Sequence, residues 1–152
     1  MVIGQDDPLR GDVVALLEEH LRDMHATSPA ESVHALDATA LTAPGLTFWT
    51  LRERGAVLGT AALKEIDPEH GEIKSMRTAA RARRRGVAGR LLDHVVREAT
   101  ARGYGRLSLE TGTQDFFAPA RALYASRGFT SCGPFEGYVE DPHSAFFTRR
   151  LP

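Results

Sequence analysis

Four arginines fall within five residues of this chain, from Arg81 to Arg85, and two glycines follow at Gly86 and Gly89. An apolar pattern with helical spacing begins at Val87. A helix N-terminus leaves backbone N–H groups unpaired and carries about half a positive charge. Small residues let an anion approach the backbone, and arginines add forked, permanently charged donors. The stretch therefore predicts a pyrophosphate site, although a solvated basic helix start has the same composition. Its spacing matches neither the dinucleotide-binding nor the P-loop glycine pattern.

Hydrophobic spacing predicts the elements that position this stretch. A short segment over 29–45 is ambiguous and could form one or two helical turns. In chain order, the predicted elements are a helix over 6–29, a hairpin over 46–67 with its turn at Arg54-Gly55, a strand over 70–78, a helix over 87–102, a strand over 104–112, a helix over 117–129, and strands over 129–132 and 144–151. This mixed order predicts an α+β (α/β three-layer) domain around a mostly antiparallel sheet.

Composition limits the classes of function. The chain has 152 residues and a net charge of −1, which argues against a dedicated nucleic-acid binder. The charge is uneven, because residues 1–80 carry 13 acids and 7 bases while residues 81–152 carry 7 acids and 12 bases. Cys132 is the one cysteine, and the sequence shows no secretory signal and no apolar run of about 18 residues. We therefore expect a cytoplasmic protein. We also expect a single domain over 1–152.

The motif Arg83-x-x-Gly86-x-Ala88 resembles the arginine/glutamine-x-x-glycine-x-glycine/alanine signature of the GCN5-related N-acetyltransferases, the GNAT family. The segment ARALYASRGF (120–129) matches a second family element at the expected distance. The resemblance covers about residues 70–130, and the helix–hairpin order before it agrees with the family's first half. It implies a mixed, mostly antiparallel central sheet flanked by helices, as in a small bacterial subgroup of the family.

The resemblance also implies acetyl-CoA as co-substrate, and the residues themselves predict no metal site. In the family, backbone groups of the strand before the signature bind the pantetheine arm, and these would be Met76 and Thr78. The pyrophosphate would rest on the amides and side chains of Arg83, Arg84, Arg85, Gly86, Val87, Ala88, Gly89 and Arg90. The histidine pair His20 and His25 lies five residues apart on a helix, which is poorly suited to one metal ion.

Acetyl transfer to an amine needs a base and an acid. A primary amine with a pKa of ~10.4 is almost wholly protonated at pH 7, so a base must remove a proton, and an acid should protonate the departing thiolate. Tyr124 occupies the family's usual acid position. Glu72, four residues before Met76, matches the base of the histone-modifying branch and would share a strand face with Lys74 and Met76 unless a bulge intervenes. Glu110, at the end of its strand, is the other candidate base, and some family members rely on water chains instead of a single base.

One position departs from the family pattern. Many members have an asparagine seven residues before the tyrosine, where this chain has Phe117. Thr111 and Gln114 are candidate substitutes in orienting the cofactor.

The acceptor would be selected by two loops, at 26–44 and 133–144. The second loop contains Glu136, Tyr138, Glu140 and Asp141, an acidic cluster that would suit a cationic amine. Lys74 and Arg77 could equally bind a carboxylate.

We therefore expect an N-acetyltransferase that moves the acetyl group of acetyl-CoA to a primary amine by direct transfer in a ternary complex. The acceptor would be a small-molecule amine or a protein amine, with no nucleic-acid or membrane partner. A non-catalytic CoA or acyl-CoA sensor is the alternative, and an RNA- or surface-binding domain is a distant third. Edge strands of this fold could also pair in a homodimer.

Overall fold

The computed structural model describes residues 1–30 and 37–152, and within these ranges seven strands form one sheet. The strands are β1 (Val2–Gln5), β2 (Leu46–Glu53), β3 (Ala56–Asp67), β4 (His70–Thr78), β5 (Arg106–Gly112), β6 (Thr130–Cys132) and β7 (Ser144–Arg150). The helices are α1 (Gly11–Thr27), α2 (Val87–Ala101) and α3 (Ala118–Ser126).

The sheet has the order β1-β2-β3-β4-β5-β7-β6. Its neighbours are antiparallel except β4 and β5, which run parallel because α2 crosses over between them. The mostly antiparallel, mixed sheet flanked by helices confirms the predicted fold class.

Adjacent residues of β2 show how the layers form. Phe48 packs in a cluster with Val13 and Leu17 of α1, whereas Trp49 belongs to a larger cluster that contains residues of α2 and α3. Because successive strand side chains point to opposite faces, α1 covers one face of the sheet, and α2 and α3 cover the other. We call these the α1 face and the α2/α3 face.

Glycines lie at the hairpin turn and just after the two helices, where the sequence predicted these elements to end. Arg54 and Gly55 form the hairpin turn with φ values of 52° and 81°, and Gly103 and Gly128 take φ values of 85° and 87° just after α2 and α3. The strand β1 was not predicted, and α1 begins at Gly11, later than the predicted residue 6. The ambiguous segment contains one described 3₁₀ turn, Ala40–Thr42, while residues 31–36 lie outside the described residues.

None of the described helices is both long enough and apolar enough to cross a membrane.

Candidate active site

The parallel strands β4 and β5 separate part-way along their length. They pair only where residues 70–72 lie beside residues 106–108. Beyond this point the two strands diverge, and a cleft of about 590 Å³ opens between them. The N-terminus of α2 lies at one end of the cleft, and residues of α1 and α3 line its sides. Divergence leaves strand backbone groups of β4 without a neighbouring strand, so they are available to a ligand.

A bulge divides β4 next to the cleft. Lys74 pairs with Ala62 of β3, but Arg77 pairs with Thr60, so three steps on β4 match two steps on β3. Ser75 takes a φ of 52° there, and its carbonyl accepts a 2.7 Å hydrogen bond from Thr60 Oγ1. Such a bulge re-aims the side chains that follow it.

The bulge settles which β4 side chains share a face. Glu72 and Lys74 lie on the α1 face, in contact with each other, and Arg77 binds Asp23 of α1. Met76 packs against the larger cluster on the α2/α3 face, so it does not share the face of Glu72. Met76 and Thr78, which are the predicted pantetheine contacts, both line the cleft.

The turn before α2 has two residues in the left-handed region, Arg84 with φ 65° and Gly86 with φ 79°. Left-handed residues in such a turn point successive N–H groups into one concavity that suits an anion. The residues of the predicted pyrophosphate site that line the cleft are Arg83, Arg84, Gly86, Val87, Ala88 and Gly89.

The structure places two of the predicted pyrophosphate residues elsewhere. The guanidinium of Arg85 donates to both carboxylate oxygens of Glu53, at 2.7 and 3.0 Å, and Arg90 is exposed. Neither side chain lines the cleft.

Tyr124 enters the cleft from the α2/α3 face. It is 6% exposed, and its ring contacts Phe129 and Phe147. Burial, and then the negative charge of Glu110, raise the pKa of Tyr124 above its ordinary value. The hydroxyl therefore stays protonated at neutral pH and keeps the hydrogen that a donor needs.

Glu110 enters from the opposite face. The neighbouring Leu109 belongs to the cluster on the α2/α3 face, so Glu110 lies on the α1 face, where it is paired with Phe146 of β7. Its Oε2 accepts a 2.7 Å hydrogen bond from Ser144 Oγ, and the residue lines the cleft.

Glu72 is 1% exposed and is held by two other side chains. Its Oε2 accepts hydrogen bonds from Tyr138 Oη at 2.7 Å and Lys74 Nζ at 3.1 Å. Burial, and then the charge of Glu72, raise the pKa of Tyr138. Sequence reasoning assigned Tyr138 only to the acceptor loop, because no local pattern shows a contact across 66 positions.

Phe117, at the position of the family asparagine, is buried at the cleft edge. Its ring lies so close to Gly112 that a Cβ there would overlap it. Of the two candidate substitutes, Thr111 lines the cleft, whereas the side chain of Gln114 lies 3.2 Å from His143 Nδ1 and is not part of the lining.

Comparison with known proteins agrees with this geometry. Residues 13–129 match the model of the acetyltransferase (GNAT) family. The chain belongs to the GNAT family. It is 52% identical to the uncharacterized N-acetyltransferase YsnE of Bacillus subtilis, over 99% of this chain and all of that protein. It is also 39% identical to the IAA acetyltransferase of Azospirillum brasilense, over 99% of this chain and 98% of that protein.

The fold of this GNAT protein matches that of a solved relative. The putative acyl-CoA N-acyltransferase from Klebsiella pneumoniae aligns with a TM-score of 0.79 at 23% identity, over 99% of this chain and 97% of that one. The family match and the curated relatives make the protein an acetyltransferase, and the GNAT family uses acetyl-CoA. Within residues 1–30 and 37–152, no cluster of three or more His, Cys, Asp or Glu side chains could hold a metal ion.

Proposed function

We propose that this GNAT enzyme transfers the acetyl group of acetyl-CoA directly to a primary amine, with Glu110 as base and Tyr124 as acid. The observation that carries the proposal is that these two side chains reach the same cleft from opposite faces of the sheet. The divergence of β4 and β5 connects the two faces at this point. An amine that enters from the α1 face would meet a thioester whose sulfur lies toward α3.

The basic turn before α2 fits the phosphate end of acetyl-CoA. Arg84 and Gly86 shape the concavity, and the first N–H groups of α2 are the donors that a helix leaves unpaired. Met76 and Thr78 line the wall along which the pantetheine arm would run.

Among the residues that the structure describes, Glu72 and Glu110 are the carboxylates that border the cleft, and their surroundings favour Glu110 as the base. The carboxylate of Glu72 already accepts hydrogen bonds from an ammonium and a phenol, and taking a proton would break its ion pair with Lys74. Glu110 and Tyr124 line the same cleft, and the negative charge of Glu110 contributes to the raised pKa of Tyr124, so the two groups face one space. A base and an acid that serve one acyl carbon must do so.

Two protons leave the amine nitrogen during acetyl transfer. Glu110 takes the first from the ammonium group and passes it to water, after which the nitrogen forms a bond to the acyl carbon. As the carbon–sulfur bond breaks, Glu110 takes the second proton from the nitrogen. Tyr124 gives its proton to the sulfur, and both residues return to their starting states by exchange with water.

Calorimetric titration with acetyl-CoA, followed by thiol-release assays with a panel of primary amines, tests this function. We expect binding, turnover with at least one amine, and a loss of about 10²-fold in kcat for Tyr124→Phe. Tyr104→Phe is the matched control, because Tyr104 is a buried tyrosine that donates to Glu65 outside the cleft. Binding without turnover on any amine would support the sensor function instead, and absence of binding would exclude both.

A further inference from the structure

Two buried nitrogen atoms on the α1 side of the cleft lack a partner. Among the residues that the structure describes, four buried side-chain polar atoms make no hydrogen bond, and two of these are Arg77 Nε and His20 Nδ1. Both residues line the cleft, and the Arg77 side chain is only 6% exposed. Buried polar atoms in folded proteins almost always have partners. Two such atoms on one cavity wall therefore point to a ligand atom that completes them.

The charges around these atoms cancel. The guanidinium of Arg77 binds the carboxylate of Asp23, and its Nη2 lies 3.7 Å from Glu19. Arg83 Nη2 lies 4.0 Å from Asp23, so two arginines face two carboxylates. Arg77 can thus donate from Nε, although the site as a whole carries no excess positive charge.

His20 adds a neutral hydrogen-bonding group. Burial, and then the nearby charge of Arg77, lower the pKa of His20 to about 4, although Asp23 acts in the opposite direction. At neutral pH the ring is uncharged, and Nδ1 can either donate or accept, depending on the tautomer. A hydroxyl or carbonyl oxygen could satisfy both nitrogens, whereas a carboxylate would bring an uncompensated charge into a buried site.

The position of these atoms favours the acceptor over acetyl-CoA as the source of this oxygen. Arg77 follows the β4 bulge on the α1 face, where Glu72 and Glu110 also lie. Met76, which lines the expected pantetheine path, packs on the other face.

We propose that Arg77 Nε and His20 Nδ1 form a subsite for a neutral oxygen, a hydroxyl or a carbonyl, carried by the acceptor amine. This inference rests on the proposed function and names the acceptor class. The preferred acceptors are amino alcohols, amino amides and larger amines with such an oxygen, rather than simple alkylamines or amino acids recognised by their carboxylate.

The test compares matched acceptors. Amino alcohols and amino amides of increasing length are each paired with the alkylamine and the amino acid of the same length, and KM and kcat are measured for every acceptor. We expect wild type to have a kcat/KM at least about tenfold higher for the oxygen-bearing member of the best pair than for its alkylamine. It should also prefer the neutral oxygen to the carboxylate.

His20→Leu removes the nitrogen without introducing a charge. We expect it to raise KM for the oxygen-bearing acceptor about tenfold more than KM for its alkylamine partner. His20→Asn, which keeps a hydrogen-bonding group near the position of Nδ1, should restore most of the preference. His25→Leu, an exposed substitution on the same helix, should behave as wild type.

A second readout does not depend on turnover. In wild type, the ¹⁵N resonances of the His20 imidazole should shift when the best amino alcohol is added and should not shift with its alkylamine partner. Arg77→Lys removes Nε but keeps a cation beside Asp23. This variant should lose the preference for the oxygen-bearing acceptor over its alkylamine partner.

Four outcomes would overturn the inference, in addition to a wild type that shows no preference for oxygen. The first two are that His20→Leu keeps the preference for the oxygen-bearing acceptor, or that it lowers kcat/KM equally for all acceptors. The third is that wild type prefers the amino acid with its carboxylate. The fourth is that His20→Leu changes KM for acetyl-CoA alone, which would assign the oxygen to the pantetheine arm. If wild type acetylates no amine at all, the proposed function fails. Acetylation without any preference for oxygen would overturn this inference alone.

Discussion

Tyr138 Oη donates a 2.7 Å hydrogen bond to Oε2 of Glu72, joining the loop between β6 and β7 to the interior of β4. Lys74 Nζ lies 3.1 Å from Glu72 Oε2 and 3.1 Å from Tyr138 Oη, so the three side chains form a closed triangle. Glu72 is 1% exposed and the Lys74 side chain is 11% exposed. The triangle keeps a buried ion pair hydrogen-bonded and fixes the loop that borders the acceptor side.

Removing one member of this triangle should destabilise the fold. Lys74→Met leaves the carboxylate of Glu72 buried without its cation, and we expect it to lower the free energy of unfolding by about 3–5 kcal/mol. Tyr138→Phe removes one neutral donor and should cost about 1–3 kcal/mol. Urea unfolding of both variants measures these differences.

The double variant Glu72→Gln/Lys74→Met is the control for this prediction. It removes both charges, so it should recover part of the stability that Lys74→Met loses. A Lys74→Met protein as stable as wild type would show that Glu72 does not depend on this pair.

The phosphate turn offers a matched pair of glycines. Gly86 and Gly103 flank α2 with φ values of 79° and 85°, and neither would place a Cβ within 4 Å of another atom. A glutamate at either position strains the backbone to a similar extent. Only Gly86→Glu adds a negative charge where the phosphates would lie, so it should weaken acetyl-CoA binding about 10- to 100-fold.

Calorimetry at low and moderate salt measures this difference. Wild-type affinity should fall as salt rises, because the phosphate contacts are exposed and screened. Equal affinity losses in Gly86→Glu and Gly103→Glu would attribute the effect to helix stability and remove the turn from the binding site.

Local pattern predicted the parts of this site that lie on single elements. Glycines after apolar periodic runs marked the ends of α2 and α3, and the basic turn was visible as composition. The bulge at Ser75 could not be predicted, because it is a mismatch between β4 and β3 and has no signature in β4 alone. The strand β1 was missed because it has four residues and contributes no buried side chain.

Contacts between distant segments explain the remaining differences. Arg85 was expected to hold phosphate, but Glu53 of the β2–β3 hairpin lies beside it and binds its guanidinium. Tyr138 reaches Glu72 only because β7 pairs with β5 and brings its loop to that edge of the cleft. Pairings of this kind depend on the whole sheet, so no window of sequence contains them.

His20 should make stability depend on pH. Its pKa is about 4 in the folded protein, whereas the ordinary value is 6.5. Between these values the unfolded chain binds a proton that the folded protein does not, so stability falls as pH drops from about 6.5 to 4, by up to about 3 kcal/mol. Below the folded pKa both states are protonated, and this contribution stays constant.

Urea unfolding at pH 7.5, 5.5 and 4.5 tests the sign. The free energy of unfolding of wild type minus that of His20→Leu should decrease steadily as the pH is lowered. His25→Leu controls for the loss of a histidine from the same helix. An equal slope for the two variants would contradict the assignment of this loss to His20.

The choice between the two carboxylates makes the sharpest prediction about catalysis. If Glu110 is the base, Glu110→Gln should lower kcat by about 10²- to 10³-fold while acetyl-CoA still binds. Glu72→Gln should lower kcat less than about tenfold and should act mainly on stability, because Glu72 is bound to Lys74 and Tyr138. Single-turnover kinetics with saturating amine separate the chemical step from product release.

The two variants control for each other, since each replaces a cleft carboxylate by an amide of the same size. If Glu72→Gln instead loses the chemical step and Glu110→Gln keeps it, then Glu72 is the base. Tyr138 and Lys74 would then have to move away when the amine binds, and Tyr138→Phe would raise the rate. If neither variant loses the chemical step, water in the cleft carries the proton, and the two carboxylates serve to attract and orient the cationic amine.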